Sequence, residues 1–357
     1  MIYLLFLLFY FITITTEKKT SKGANLGRFL VAVLYTLLVG LRGIHIGKDT
    51  ETYYQHFYLF GQFGCDFVEP GFDYINRFCY SQGWLPFSSM LICASISIIP
   101  ICYYLFKLKH SEYIIASFLF YMSTFVILCN GMRQCIAVGL VFALLFYVHE
   151  HEFNKRTIII YTIGVICASF FHISVLFLLP IILLKKVALS NKLCIIIYLI
   201  SFLFVFVNFA SYVPMLNIEL GNRDYSNYFE DLKRTEKSIL GFIVTSSLNI
   251  GIFTIMIKSS LFKNYTFISN LVLTYFILVN VGYHILMIPR FSLYFSCFVY
   301  FAIAHAITCK EYNKKTDALK LFVVCMYIVI IYKAFMSPSN MLMPYEFFWE
   351  NNLVWVP

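Results

Sequence analysis

Long runs of apolar residues alternate with short polar segments along almost the whole chain. A helix needs about 20 mostly apolar residues to cross the hydrocarbon core of a membrane. On that basis the runs predict spans near 1–16, 26–42, 87–106, 112–130, 133–148, 157–171, 173–184, 193–210, 238–257, 265–288, 291–308 and 317–336. The pattern predicts an all-α, polytopic membrane protein of about 12 transmembrane helices, forming a single integral membrane domain over residues 1–357.

The two short runs at 157–171 and 173–184 allow two interpretations. They could form a single kinked span, or a hairpin or re-entrant pair with its tip at His172. Merging them would reverse the side of every later loop and put the lysine-rich loops outside, against the positive-inside rule. We therefore expect a hairpin.

The composition excludes several classes of protein. Hydrophobic residues make up 61% of the chain and charged residues only 13%, against roughly 45–50% and about 25% in a soluble domain. A soluble enzyme, a disordered chain and a secreted disulfide scaffold do not fit these values. The net charge of +9 could suggest nucleic acid, but in a membrane protein it more often reports which side each loop occupies.

The distribution of cations supports that topological explanation. Loops on one side carry 17 of the 27 Lys and Arg residues, whereas the other side carries 12 of the 18 acids. The first side should be cytoplasmic, so that both termini lie outside. The outer side then holds polar segments at 43–86, 211–237 and 337–357. The first contains a predicted amphipathic helix with Phe72, Ile75 and Phe78 on one face, which could lie on the membrane surface. The last, rich in Trp, Tyr and Pro, should lie along the outer surface.

Three arginines stand at the outer ends of predicted spans, namely Arg42, Arg133 and Arg290. Each one alone could be an anchor whose side chain snorkels to the membrane surface. Arginine also presents a planar fork that binds phosphate oxygens in bidentate fashion. If the three converge, they favour a phosphate or pyrophosphate site at headgroup level.

Acid–base candidates lie on the same predicted side. Asp49 and Glu51 follow Arg42 closely, Glu69 begins the amphipathic helix, and His172 sits at the hairpin tip. These residues could accept a proton from a sugar hydroxyl. The alternative for Asp49 is an ordinary polar loop, and the alternative for His172 is a structural hydrogen bond. His284 is a weaker acid–base candidate with the same alternative as His172. We find no P-loop, GxSxG, HExxH or dinucleotide motif and predict no metal and no cofactor.

Several short motifs, taken in order, resemble the EpsG-type polysaccharide polymerases, a branch of the Wzy polymerases. The matching pieces are Arg42 with Ile46-Gly47-Lys48-Asp49-Thr50 and Tyr53-Tyr54; Glu69-Pro70-Gly71-Phe72; Met132-Arg133-Gln134-Cys135-Ile136-Ala137; Phe171-His172-Ile173-Ser174; Pro289-Arg290-Phe291; and Pro344-Tyr345. They cover most of the chain. Lys48 departs from the family pattern, in which Thr is commoner.

The resemblance implies a membrane-embedded glycosyltransferase in the bacterial cytoplasmic (inner) membrane, with a design related to the GT-C type. Its substrate would be an oligosaccharide repeat unit on undecaprenyl pyrophosphate, and a chain-length regulator is a candidate partner; no nucleic acid is expected. Arg42, Arg133 and Arg290 would bind the pyrophosphate. Asp49, Glu69 or His172 would be the base, with Asp49 our first choice because it is closest to Arg42. Tyr53 and Tyr345 would bind the acceptor sugar.

Other functions remain open on the sequence alone. An O-antigen ligase uses the same donor with a different acceptor. A polysaccharide flippase or transporter would place its polar groups near the membrane midplane, often within inverted repeats. The candidates here lie at span ends and no repeat is evident, which favours the enzyme. We find no motif typical of an acyltransferase.

Overall fold

The computed structural model describes residues 2–16, 23–64, 68–206, 219–220, 223–224, 239–259, 261, 265–284, 287–309 and 314–350. The helices are α1 (Ile2–Thr16), α2 (Gly23–Gly40), α3 (Thr50–Phe63), α4 (Pro70–Ser81), α5 (Pro86–Phe106), α6 (His110–Asn130), α7 (Met132–Glu150), α8 (Lys155–Ser169), α9 (Asn191–Leu203), α10 (Ile239–Lys258), α11 (Thr266–Val281), α12 (Met287–Thr308) and α13 (Lys314–Met336). Segments of 3₁₀ helix occur at Ile173–Lys186, Phe204–Phe206, Gly282–His284 and Pro338–Asn340. Glu219–Leu220 pairs antiparallel with Arg223–Asp224.

Each predicted span coincides with a helical element, which confirms the all-α polytopic fold class. Within the described residues, 7 helices are long and apolar enough to cross a membrane. Shorter apolar helices occupy Ile2–Thr15, Leu26–Gly40 and Asn191–Phe206. The remaining predicted spans correspond to α8 and to the 3₁₀ segment Ile173–Lys186.

The hairpin at 157–184 is confirmed. Helix α8 ends at Ser169 and the next helical segment begins at Ile173. The Tyr161 hydroxyl donates a hydrogen bond of 2.7 Å to the Leu178 carbonyl. In one continuous helix these residues would lie roughly 25 Å apart at 1.5 Å per residue, so the chain must double back between them.

The described residues group into two compact units. The first comprises Met1–Leu144, Ile160–Leu179 and Ile330–Pro357, and the second comprises Leu145–Ile159 and Pro180–Val329. Whether the chain acts as one membrane domain stays a prediction.

Close helix packing organises the first unit. Gly40 of α2 lies so near Leu91 of α5 that a Cβ at Gly40 would come within 2.7 Å of the Leu91 Cα. Gly139 of α7 likewise approaches the Ser97 carbonyl of α5. Small residues let helix backbones meet in a membrane, where packing rather than apolar burial drives association. These close approaches bring α2 and the part of α7 around Gly139 against α5 within the first unit.

The segment 43–86 contains more structure than the sequence predicted. It holds α4, as expected, and also α3, which was not expected. Phe72 and Ile75 of α4 are buried, and Phe72 packs against Tyr53 of α3 with ring centroids 5.5 Å apart. Phe78 is 44% exposed and does not share their buried face. The apolar face of α4 therefore covers protein.

In the second unit, α11 packs against α9 and α12. Asn280 donates to the Ser201 hydroxyl over 2.9 Å, and Asn270 donates to the carbonyls of Leu184 and Val187. Such bonds satisfy polar groups that would otherwise be costly within apolar surroundings. The predicted outer segment 211–237 lies outside the described residues apart from the two short strands.

Candidate active site

A buried carboxylate joins two cationic side chains from distant parts of the first unit. Glu69 is 5% exposed, and its Oε2 accepts a hydrogen bond of 2.5 Å from Nη1 of Arg133. Its Oε1 lies 3.2 Å from Nδ1 of His172. Arg133 and His172 keep 29% and 24% of their side chains exposed. The cluster therefore has a buried anion and two accessible partners.

Local sequence explains why these three residues meet. Pro70 occupies the first turn of α4 and leaves Glu69 as its N-cap residue. The Gly71 amide donates to the Phe170 carbonyl over 2.8 Å, and a Cβ at Gly71 would come within 2.8 Å of the Phe171 ring. Only glycine allows this approach. The Glu-Pro-Gly-Phe and Phe-His motifs therefore dock on each other and bring Glu69 to His172.

The surroundings of Glu69 favour its ionised form. Burial opposes ionisation, but the hydrogen bond with His172 and the Arg133 charge outweigh burial, so the pKa of Glu69 falls to about 2. An ionised carboxylate can only accept hydrogen bonds. His172 must then carry its proton on Nδ1, which leaves Nε2 as a lone-pair acceptor when the ring is neutral.

One face of α3 borders the same cluster. Asp49 precedes the first residue of α3, and Tyr53 follows one turn later. The Tyr53 hydroxyl accepts a hydrogen bond of 3.0 Å from the Met132 amide at the start of α7, next to Arg133. Burial and the Asp49 carboxylate raise the pKa of Tyr53 to about 12, against the opposing charges of Arg133 and Arg42. Tyr53 thus links α3 to the arginine-bearing end of α7.

Arg42 lies deep in the first unit, with only 1% of its surface exposed. Its Nε donates to the Thr50 hydroxyl over 2.9 Å and its Nη1 to the Val39 carbonyl over 2.5 Å. Its Nη2 is buried without a hydrogen-bond partner, and no carboxylate of the described residues forms an ion pair with it. A buried positive charge without a counter-ion is costly.

The chain's tail covers this arginine. We call residues 341–348 the tail segment. The amides of Gly43 and Gly47 donate to the carbonyls of Glu346 and Met341 over 2.7 and 2.8 Å, and Phe347 forms an isolated β-bridge with Arg42. The Tyr345 hydroxyl donates to the Leu38 carbonyl over 2.6 Å. Tyr345 thus anchors the tail to α2, and its predicted role in sugar binding stays a prediction.

Two further candidates, Arg290 and His284, belong to the second unit. Arg290 is exposed near the start of α12, and its convergence with Arg42 and Arg133 stays a prediction. The Nε2 of His284 lies 2.8 Å from the Val205 carbonyl oxygen. A structural hydrogen bond therefore explains the presence of this histidine.

Sequence reasoning missed His56. It lies seven residues after Asp49 on α3, and so on the same helix face as Asp49 and Tyr53. Its Nδ1 is buried without a hydrogen-bond partner, and burial together with the Arg133 charge lowers the pKa of His56. The i, i+7 spacing could have revealed it, but only if α3 itself had been predicted.

Comparison with known proteins identifies a family. The model of the EpsG family matches residues 25–347, nearly the whole chain. No curated protein and no solved structure matches the chain. Across the described residues, no group of three or more His, Cys, Asp and Glu side chains is arranged to hold a metal ion.

Proposed function

The chain belongs to the EpsG family of Wzy-like polysaccharide polymerases, and we propose that it joins lipid-linked oligosaccharide repeat units by glycosyl transfer. The family membership confirms the resemblance that the ordered motifs suggested. In the proposal the donor is a saccharide chain on undecaprenyl pyrophosphate and the acceptor is the next lipid-linked unit. The proposed reaction face is the outer face of the bacterial cytoplasmic membrane, and the lysine distribution supports this proposal.

The observation that carries this proposal is the buried guanidinium of Arg42 with its unpartnered Nη2. An anion bound there would supply the missing counter-charge and the missing hydrogen bond. The leaving lipid pyrophosphate is such an anion. Because Arg42 is 1% exposed, the surrounding segments must shift before an anion can reach Nη2. Arg133, which is more exposed, would bind the pyrophosphate first.

The Glu69–His172 pair supports a general base. Glu69 holds the His172 ring with Nδ1 protonated, and the lone pair on Nε2 is then available for a hydroxyl proton. Glu69, with a pKa of about 2, is itself too weak a base for this task. The geometry therefore favours His172 as the base and makes Glu69 a positioning residue, with Asp49 the rival base.

In the proposed step, the acceptor hydroxyl oxygen attacks the anomeric carbon of the donor and passes its proton to Nε2 of His172. A new glycosidic C–O bond forms as the bond between the anomeric carbon and the phosphate oxygen breaks. The electron pair of that bond leaves with undecaprenyl pyrophosphate. Arg42 and Arg133 stabilise the charge that develops on the pyrophosphate, a type of stabilisation that is often the largest contribution to catalysis.

Complementation of a deletion strain tests these roles. We expect wild-type protein to restore long surface polysaccharide, and His172→Gln to leave single repeat units at unchanged protein level. Removal of a general base should lower the rate roughly 10²–10⁴-fold. His151→Gln, which changes an exposed histidine of the second unit, is the matched control. If His172→Gln still makes long chains and Asp49→Asn does not, the role of general base belongs to Asp49.

The arginines are tested in the same strain. Arg133→Ala, Arg290→Ala and Arg42→Ala should each abolish polymerisation. Arg42→Lys keeps the buried charge but removes the planar fork, so it separates a folding defect from loss of the anion site. Long chains from all of these variants would contradict the pyrophosphate site.

A further inference from the structure

An open groove runs along α4 beside the candidate active site. It encloses about 800 Å³, within the range of small-ligand sites. We call it the α4 groove; its lining residues are Gly61, Val68, Pro70, Asp73, Tyr74, Arg77, Phe78 and Ser81. None of them takes part in the catalytic step proposed above.

The groove combines two kinds of surface. Tyr74 and Phe78 are 71% and 44% exposed, and Trp84 packs edge-on against Phe78 with centroids 5.8 Å apart. Beside these rings, Arg77 lies 3.9 Å from Asp73 and keeps 58% of its side chain exposed. The aromatic faces of Tyr74 and Phe78 thus share the exposed side of one helix with the Arg77 guanidinium, while Asp73 is 14% exposed.

That combination matches the chemistry of sugars. A sugar ring has faces of C–H groups, which pack on the electron-rich faces of aromatic rings. It also has an edge of hydroxyls, which a carboxylate and a guanidinium can bind through charge-assisted hydrogen bonds. A surface that faced only lipid chains would not keep an Asp–Arg pair, since charged groups are costly there.

The position of the groove fits a growing or incoming glycan. Pro70 lines it and directly follows Glu69, which holds His172. Ser81, at the other end, lies about 16 Å further along the helix at 1.5 Å per residue. A short oligosaccharide laid along α4 would therefore have one end close to His172.

We propose that the α4 groove is an oligosaccharide-binding subsite, in which Tyr74 and Phe78 stack on sugar rings and Asp73 and Arg77 bind hydroxyls. The inference rests on the proposed function for the source of the ligand, which is the glycan of either the acceptor or the donor. It goes further by assigning residues that would select the repeat unit.

Binding can be measured without catalysis. In full-length protein carrying Trp349→Phe and Trp355→Phe, Trp84 is the only tryptophan left. The probe is a set of oligosaccharides released by mild hydrolysis from the surface polysaccharide of the source cells. We expect a saturable change in Trp84 fluorescence, which Tyr74→Ala and Arg77→Ala each weaken roughly tenfold or more. Tyr332→Ala, a comparably exposed tyrosine outside the groove, should leave binding unchanged.

The outcomes separate this inference from the proposed function. His172→Gln should bind the oligosaccharides normally while failing to polymerise. If the wild-type signal does not saturate, or if Tyr74→Ala and Arg77→Ala bind as wild type, the inference is overturned whatever the polymerisation assay gives. Brominated phospholipid provides a second check. If it quenches Trp84 fluorescence and added oligosaccharide does not reverse the quenching, the groove faces lipid and the inference is overturned.

With a reconstituted enzyme, the source of the glycan can be assigned. If the groove holds the acceptor, Tyr74→Ala should raise the KM for acceptor and leave that for donor unchanged, and the reverse pattern assigns the groove to the donor. An unchanged KM for both substrates would count against the subsite.

Discussion

Glu69 is the residue on which the candidate site depends, because one carboxylate contacts both Arg133 and His172. The motifs in the sequence included all three residues. They did not indicate that the residues touch, since Glu69 and His172 are separated by 103 positions and no periodicity connects them. The preference for Asp49 as base came from closeness along the chain. Burial and hydrogen bonding, which only the fold supplies, favour His172.

The pKa of Glu69 has a consequence for stability. A folded-state pKa of about 2, below the ordinary value of 4.5, means that ionised Glu69 stabilises the protein above about pH 4.5. This contribution is lost as the pH falls from about 4.5 towards 2, and it amounts to about 3 kcal/mol at most.

We therefore expect Glu69→Gln to destabilise the protein at pH 7. The difference in unfolding temperature between this variant and wild type should become smaller as the pH is lowered towards 2. Thermal unfolding in detergent across this range measures the difference. If the variant's unfolding temperature stays below that of wild type by the same amount at every pH, the interactions of ionised Glu69 with Arg133 and His172 are not the source of its stabilising effect.

At the scale of helices, the apolar pattern predicted the spans well because membrane crossing demands a long apolar run. Helix α3 escaped prediction because residues 50–63 carry polar and aromatic side chains without a long apolar run. Residues 337–357 are predicted to lie along the outer surface, and that placement stays a prediction. The contacts of the tail segment with residues 41–47 include backbone hydrogen bonds, which leave no side-chain pattern to detect.

The docking of α4 on the hairpin tip yields a prediction for Gly71→Ala. The added methyl would come within 2.8 Å of the Phe171 ring and 2.9 Å of the Phe170 carbonyl, so α4 must move away. We expect this to separate Glu69 from His172 and to lower polymerisation at least tenfold, a barrier change of about 1.4 kcal/mol.

The matched control is Gly27→Ala. Its methyl would meet atoms of Thr13 at 3.7 Å, an ordinary contact, and alanine favours the helix by about 1 kcal/mol over glycine. Polymer length and unfolding temperature measured for both variants make the comparison. Full activity of Gly71→Ala would show that the close approach is not needed for catalysis.

For the whole molecule, the charge distribution and the hairpin together predict on which side of the membrane the site lies. The hydrogen bond between Tyr161 and Leu178 shows that the chain doubles back within 157–184. With two arms there, the positive-inside rule predicts that the lysine-rich loops lie on one side.

Reporter fusions test that topology. We expect alkaline phosphatase to be active when fused after residue 350 and inactive when fused after Lys186, with green fluorescent protein showing the opposite pattern. The reversed pattern would put the candidate site in the cytoplasm and contradict the proposed reaction face.

We propose that this polymerase transfers saccharide from a lipid pyrophosphate through the site of Arg42, Arg133, Glu69 and His172. The most direct test of this proposal is a reconstituted reaction with purified full-length protein and a synthetic repeat unit on undecaprenyl pyrophosphate. We expect a ladder of products with one undecaprenyl pyrophosphate released per linkage, and neither product from His172→Gln. Polymer formation without release of the lipid pyrophosphate, or an undiminished ladder from His172→Gln, would contradict the account.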